Sequence, residues 1–129
     1  MRFDVSTSSK IPIYRQLIDQ IRAGVARGKL SPGVQLPSVR AMSRELVVNP
    51  NTIAKAYGVL EQEGVLMTRP GKGVFVAESN ATDLTKKARR ERLTTSIDGF
   101  LTEAVHLGFT SEEVVEMVSH RVGRYQWNG

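Results

Sequence analysis

The chain has 129 residues, of which 40% are hydrophobic and 24% are charged, so a folded globular protein is expected. Its 18 Lys and Arg residues exceed its 13 Asp and Glu residues. Cysteine is absent, which excludes disulfides and thiolate zinc sites and agrees with a reducing, cytoplasmic compartment. The sequence has neither an apolar run near the roughly 18 residues of a membrane span nor a signal peptide. Secreted and membrane-spanning classes are therefore not expected.

The excess positive charge lies in the N-terminal part of the chain. Residues 1–79 hold 11 basic and 6 acidic side chains, whereas residues 80–129 hold 7 of each. A basic unit attracts polyanions, and nucleic acid is the commonest of these. Charge alone is weak support, because many basic domains bind no nucleic acid.

Apolar periodicity predicts three helices in the first half of the chain. The first opens at Pro12, because proline suits the first helical position, and stops at Gly28. The second is short and has Ser38 as its N-cap, and the third starts at Asn49-Pro50 and ends at Gly64. Their apolar faces are Ile13, Leu17, Ile21 and Val25; then Val39, Met42 and Leu46; then Ile53, Ala56, Tyr57 and Leu60.

A β-hairpin is predicted after the third helix. Residues 65–68 and 74–76 are rich in strand formers, and residues 69–73 between them are rich in turn formers. Helix, short helix, tight connection, helix and hairpin is the order of a winged helix–turn–helix. The expected fold is therefore mainly α with a small β-hairpin, and this domain spans residues 10–78.

Two further helices are expected beyond a hinge at residues 79–82, and they form a tail over residues 83–124. A long helix runs from about residue 83 to residue 107, and a shorter one follows the capping-box pattern of Thr110 and Glu113. About fifty residues in two helices bury too little surface to stand alone, so the tail is predicted to dimerise. The alternative is a tail that folds back on its own domain. The predicted dimer contacts are Ile97, Phe100, Leu101 and Ala104 in the long helix and Val114, Val118 and Val122 in the last one.

The third helix carries polar residues opposite its apolar face. Asn51, Lys55, Gly58 and Gln62 lie there when each residue turns the helix by about 100°. Asn and Gln can form two hydrogen bonds with adenine, and Lys can reach guanine or phosphate. The face is therefore either a DNA-reading surface or an ordinary solvated helix face.

The hairpin loop carries cations beside glycines. Arg69 and Lys72 flank Gly71, and glycine lets a backbone approach a ligand closely. Such a loop beside a recognition helix suits contact with phosphates or with the minor groove. The alternative is a simple turn with solvated charges.

Several short motifs occur together and in order between residues 10 and 77. They are Pro12-Ile13-Tyr14-Arg15-Gln16-Leu17, Leu36-Pro37-Ser38-Val39-Arg40, Asn49-Pro50-Asn51-Thr52-Ile53, Ala56-Tyr57, Leu60-Glu61-Gln62-Glu63-Gly64 and Gly71-Lys72-Gly73-Val74-Phe75-Val76. Together they resemble the N-terminal domain of GntR-type bacterial transcription regulators. The Asn-Pro-Asn-Thr version and the short two-helix tail resemble the YtrA-like branch of that family.

The resemblance implies a non-enzymatic, homodimeric regulator, expected to be a repressor, that binds double-stranded operator DNA without a cofactor. It implies that Ser38 and Arg40 contact phosphate or the groove edge. It places Asn49, Asn51, Thr52 and Lys55 at the start of the recognition helix in the major groove, and Arg69, Gly71 and Lys72 in the wing. A dimer spaces two recognition helices by about 34–36 Å, so the expected operator is a short inverted repeat. A small-molecule effector, if there is one, would change the placement of the two heads.

The sequence departs from the family pattern at three positions. Pro50 and Ala54 stand where many members carry basic residues, and Val47 stands where many carry glycine. The base specificity of other branches is therefore not transferred to this chain.

Two other features carry less weight. The basic run from Lys86 to Arg92 could extend contact with DNA phosphates or could be a solvated helix face. His106 and His120 lack a carboxylate constellation, so no metal site is expected. The rival functions are a small-molecule-binding enzyme or accessory protein, a winged-helix protein-interaction module, and an RNA-binding protein.

Overall fold

Five helices and two strands are formed by the residues that the structure, a computed structural model, describes, namely 2–78 and 86–127. They are α1 (Ile13–Ala26), α2 (Val39–Leu46), α3 (Pro50–Gln62), β1 (Leu66–Arg69), β2 (Gly73–Val76), α4 (Lys86–His106) and α5 (Ser111–Val122). The predicted mainly helical fold with a small hairpin is confirmed. The hinge predicted at 79–82 and the start of the predicted long helix lie outside the described residues.

The chain divides into two units, Met1–Asn80 with Gln126–Gly129, and Ala81–Tyr125. The core of the first unit lies between α1, α2 and α3, with α3 also packed on β1. Leu17 and Ile21 of α1 and Met42 of α2 are fully buried there. The predicted apolar face of α3 is buried in full, which leaves the opposite face of that helix to solvent.

Helix α1 begins one residue later than predicted. Pro12 has an extended ψ of 146°, so it is the N-cap and not the first helical residue. Its carbonyl accepts the amides of Arg15 and Gln16, each at 3.1 Å. Proline is tolerated there because the amide it lacks has no partner in the first turn. The predicted stop is confirmed, since Gly28 adopts a φ of 79° immediately after the C-cap residue Arg27.

The hairpin has a shorter loop than predicted. Arg69 pairs with Gly73 as the last step of the antiparallel ladder, so only residues 70–72 lie between the strands. The Lys72 amide donates to the Arg69 carbonyl at 2.9 Å, and Gly71 takes a φ of 74°. This bond and the left-handed glycine close a three-residue loop. Arg69 therefore belongs to a strand and not to the loop.

A third extended segment, residues 33–36, pairs with the other edge of β2, and the sequence analysis missed it. Gln35 forms an antiparallel bridge with Phe75. The Leu36 amide donates to the Val74 carbonyl and the Val76 amide donates to the Val34 carbonyl, both at 2.8 Å. The segment is too short for period-two alternation to reveal it. It joins the hairpin to the residues that immediately precede α2.

The second unit contains α4 and α5. The predicted capping box is confirmed at the start of α5, because the Glu113 amide donates to the Thr110 hydroxyl at 3.1 Å and the Thr110 amide donates to the Glu113 carboxylate at 2.9 Å. Hydrogen bonding of the Glu113 carboxylate by Thr110, mainly by its backbone amide and then by its side chain, holds the pKa of Glu113 below its usual range. Among the described residues, every helix is too short or too polar to cross a bilayer.

Candidate nucleic-acid interface

The start of α2 is organised by Ser38. The Ser38 hydroxyl accepts the Ala41 amide at 3.0 Å, which confirms Ser38 as the N-cap. This cap places Arg40 in the first turn, where its side chain is exposed. The hydroxyl proton of Ser38 is not used by the cap, so Ser38 can both hold the helix and donate to an external acceptor.

The start of α3 is organised by Asn49 in the same way. The Asn49 side-chain oxygen accepts the Asn51 amide at 2.8 Å, and Pro50 occupies the first helical position, as predicted. The Asn49 amide group keeps two N–H donors that this cap does not use. Asn51 and Lys55 are exposed on this end of the helix, and Thr52 is half-buried.

Val47 makes the turn between α2 and α3. Its backbone is left-handed, with φ 54° and ψ 52°, and its side chain is 89% exposed. The resemblance described above implies glycine at this position, and glycine adopts that conformation without steric cost. The turn keeps its left-handed geometry with valine, at the expense of local strain.

Lys55 is held over an aromatic ring of α1. Its Nζ lies 3.8 Å from the centre of the Tyr14 ring, within the range of a cation–π interaction. Tyr14 is half-buried against the core, so the ring is a fixed support for a flexible side chain. Sequence reasoning placed Tyr14 only in a motif of the first helix, and no signal within either helix links the two residues.

The hairpin supplies two more exposed cations. The Arg69 guanidinium lies 5.0 Å from the centre of the Phe75 ring, which is diagonal to it in the ladder, opposite Met67. Gly71 and Lys72 form the exposed tip of the loop. The Gln35 side chain donates to the Lys72 carbonyl at 2.9 Å, a contact that sequence reasoning missed because the two residues are 37 positions apart.

A buried tyrosine links α3 to the residues before α2. The Tyr57 hydroxyl donates to the Pro37 carbonyl at 2.8 Å. Burial, with a smaller contribution from the charge of Glu45, raises the pKa of Tyr57. Tyr57 therefore stays neutral at physiological pH and fixes α3 against the segment that leads into Ser38.

The nine residues predicted to bind DNA all lie in the first unit, on elements that pack on one another. Helix α2 packs on α3, and α3 packs on β1. They are Ser38, Arg40, Asn49, Asn51, Thr52, Lys55, Arg69, Gly71 and Lys72, and all are exposed except the half-buried Thr52. This unit combines two capped helices joined by a left-handed turn with a hairpin that carries cations, and it is a winged helix–turn–helix.

The residues predicted to mediate dimerisation lie in the second unit. Ala104 and Val114 are buried, whereas Ile97, Phe100, Leu101, Val118 and Val122 are between 41% and 46% exposed. Large apolar side chains on the same helices are thus left partly in solvent.

Within residues 2–78 and 86–127, no three His, Asp or Glu side chains come together as a metal site. His120 lies 3.7 Å from Glu116 on the exposed surface of α5.

Comparison with known sequences identifies the family. The family model described as bacterial regulatory proteins of the gntR family matches residues 13–76. The HTH-type transcriptional regulator YhcF of Bacillus subtilis is 42% identical over 88% of this chain and 92% of its own length. The HTH-type transcriptional repressor YtrA of the same organism is 32% identical over 88% of this chain and 87% of its own.

Solved structures agree with this result. A protein described as a transcriptional antiterminator from Listeria monocytogenes EGD-e superposes with a TM-score of 0.79 at 33% identity, over 95% of this chain and 90% of its own. The DNA-binding domain of AraR, solved in complex with operator ORE1, superposes with a TM-score of 0.50 at 28% identity, over 60% of this chain and 94% of its own. The chain belongs to the GntR family of transcription regulators, which are not enzymes.

Proposed function

We propose that this protein is a homodimeric repressor that binds a short inverted repeat in double-stranded DNA. Helix α3 enters the major groove, and the hairpin loop contacts the minor groove or its phosphates. One observation carries the proposal: α3 buries its whole apolar face and leaves Asn51 and Lys55 exposed, and it packs on α2 and β1, which carry exposed cations of their own. A protein-interaction surface would not need amide and cationic groups gathered at the start of one helix.

The exposed residues divide by chemistry. Arg40, Lys55 and the two hairpin cations neutralise phosphates, which supplies most of the affinity. Asn51 has a side-chain amide that can pair with an adenine edge, so it is the residue we assign to base recognition. Ser38 and Asn49 donate to phosphates from the two helix caps, because their unused protons lie at the helix starts.

Dimerisation is assigned to the tail. The partly exposed apolar side chains of α4 and α5 bury more surface if a second copy covers them, and two-fold dimers are the commonest oligomers. Two-fold symmetry places two winged heads on half-sites about one helical turn apart, which is about 10–10.5 base pairs. The proposal assigns residues 10–78 to the DNA-binding domain and residues 83–124 to the dimerisation tail.

In this proposal the protein acts in the cytoplasm, and the bound dimer represses transcription because it covers promoter DNA and sterically excludes RNA polymerase. The relative YtrA of Bacillus subtilis bears the name of a transcriptional repressor and shares the length of this chain. An effector that alters the spacing of the heads would shift the population of dimers that fit the operator.

In the first test, the full-length protein selects duplexes from a library with a randomised region of about 30 base pairs, which is long enough to span both half-sites. We expect the recovered sequences to share an inverted repeat. Fluorescence anisotropy with the selected duplex should then give two protomers per duplex, and a scrambled duplex of the same composition should bind far more weakly. Recovery of no common sequence, with equal weak binding to both duplexes, would overturn sequence-specific recognition.

Two substitutions locate the interface. Arg40→Ala should weaken binding at least about tenfold and lower the slope of log Kd against log salt by about two units, since each of the two protomers loses one phosphate contact. Asn51→Ala should weaken binding to the selected duplex but not to the scrambled one, since it removes a base contact. Lys29→Ala, which removes an exposed cation outside the proposed interface, is the matched control. Thermal unfolding of all three variants should remain close to that of the wild type.

Repression is tested by transcription in vitro. A template with the selected duplex across a promoter should lose transcript in proportion to occupancy by the wild-type protein but not by Arg40→Ala. Increased transcript at full occupancy would assign activation to the protein in place of repression.

A further inference from the structure

The tip of the hairpin is fastened to the segment that leads into α2. Residues 33–36 pair with the edge of β2, and Gln35 is the residue opposite Phe75 in that pairing. From there the chain reaches Ser38, the cap of α2, in three residues. The hairpin and the start of α2 are therefore two ends of one short hydrogen-bonded segment.

The side chain of Gln35 extends this connection to the loop itself. Its amide donates to the Lys72 carbonyl at 2.9 Å, and the Lys72 amide donates to the Arg69 carbonyl at 2.9 Å. Both backbone polar groups of Lys72 are thus hydrogen-bonded, the amide from within the loop and the carbonyl from outside it.

Gly73 provides the space that this contact needs. A Cβ at Gly73 would lie 2.6 Å from Gln35 Nε2, closer than side-chain carbons approach such atoms, and the φ of 123° at Gly73 favours glycine as well. The Gln35 amide group therefore occupies the position of the side chain that glycine lacks.

We propose that Gln35 is a positioning residue for DNA binding: it holds Lys72 at the hairpin tip, and with it the adjoining strand end at Arg69, at a fixed place relative to α2. This inference rests on the proposed contact between the hairpin and DNA. Gln35 is exposed, and an exposed hydrogen bond contributes little to folding. Its main effect is on binding, because a loop that is already ordered loses less entropy when it meets the phosphates.

The test compares Gln35→Met with the wild type. Methionine keeps the length of the side chain and its lack of charge but cannot donate a hydrogen bond. We expect the Kd for the selected duplex to rise about three- to tenfold, the range of one ordinary hydrogen bond. Gln20→Met is the matched control, because it also removes a side-chain amide that bonds the backbone, here that of Asp4, which is outside the proposed interface. Its Kd should equal that of the wild type.

A double-mutant cycle shows whether Gln35 acts through the loop. In a background with Arg69→Ala and Lys72→Ala, Gln35→Met should have no further effect on the Kd, because the groups that it positions are gone. An equal effect in both backgrounds would overturn the inference and place Gln35 in direct contact with DNA or in general folding. Thermal unfolding that falls in parallel with affinity would overturn it too.

The cycle also separates this inference from the proposed function. If Arg69→Ala with Lys72→Ala leaves the Kd unchanged, the proposed contact between hairpin and DNA is wrong, and the role of Gln35 falls with it. If those substitutions weaken binding but Gln35→Met does not, only the role of Gln35 is wrong.

Discussion

Val47 combines a backbone conformation and a side chain that do not suit each other. A left-handed φ of 54° is unfavourable for a β-branched residue, and a side chain that is 89% exposed gains almost no burial in return. We expect Val47→Gly to raise the free energy of unfolding by about 1 kcal/mol. Urea unfolding followed by circular dichroism measures this change.

Val34→Gly is the control for that experiment. Val34 is also exposed, but its φ is not positive, so glycine relieves no strain there and adds entropy to the unfolded chain. Val34→Gly should therefore lower the free energy of unfolding. A decrease for Val47→Gly as well would show that the left-handed turn is not the source of strain.

Because of Tyr57, we expect the free energy of unfolding to depend on pH in the alkaline range. At neutral pH, Tyr57→Phe should lower the free energy of unfolding by about 1 kcal/mol, because the bond to the Pro37 carbonyl is lost. An unfolded tyrosine has a pKa of about 10, and burial holds the pKa of folded Tyr57 above this. The unfolded state therefore releases its proton first, and the wild type loses stability as pH rises past about 10.

Phenylalanine has no such proton, so the difference in stability between the wild type and Tyr57→Phe should narrow above that pH. Urea titrations of both proteins at about pH 8 and about pH 11, which bracket the tyrosine pKa, measure the difference. A difference that stays constant across this range would contradict the raised pKa.

The helix caps of α2 and α3 have two roles that substitution can separate. Aspartate caps a helix as well as asparagine does, but it cannot donate a hydrogen bond and it repels phosphate. Asn49→Asp should therefore keep the free energy of unfolding and weaken binding to the selected duplex at least about tenfold. Asn49→Ala should lower the free energy of unfolding by about 1 kcal/mol as well.

Asn49→Ser is the control, since serine keeps both a capping oxygen and a donor. Its stability and affinity should both stay near those of the wild type, as measured by unfolding and by anisotropy. Wild-type affinity for Asn49→Asp would remove Asn49 from the proposed interface.

The elements differ in how well the sequence predicts them. Caps at Ser38 and Asn49 and the buried face of α3 follow from residues within one or two turns, so local patterns were sufficient. The extended segment at 33–36 depends on a partner strand about 40 residues away in the chain, and nothing local indicates such a pairing. The support of Lys55 by Tyr14 was missed for the same reason.

The oligomeric state of the whole molecule depends on what covers the apolar side chains of the tail. A glutamate in place of Phe100 puts a charge on the partly exposed apolar side of α4. If a second copy covers that side, Phe100→Glu should convert the dimer to a monomer and weaken binding to the selected duplex by more than about tenfold, because the two heads lose their linkage. Sedimentation velocity and anisotropy measure the two effects.

Thr95→Glu is the matched control, because Thr95 lies on α4 about half a turn from Ala104 and the rest of that side. It should remain dimeric and bind normally. If Phe100→Glu is also dimeric, the tail is not the dimer interface. The sequence predicted the apolar stripe but could not identify its partner, because a stripe that meets a second chain has the same periodicity as one that meets its own domain.

The two caps also bear on how such regulators diverge after gene duplication. A paralogue can acquire a new operator only through positions that are free to change without unfolding the head. Ser38 and Asn49 hold the starts of their helices, so most replacements there reduce stability before they alter recognition. Asn51, Ala54 and Lys55 are exposed and do not cap a helix. Evolution of operator preference should therefore proceed through these three positions, while the caps stay within the few residue types that can cap the start of a helix.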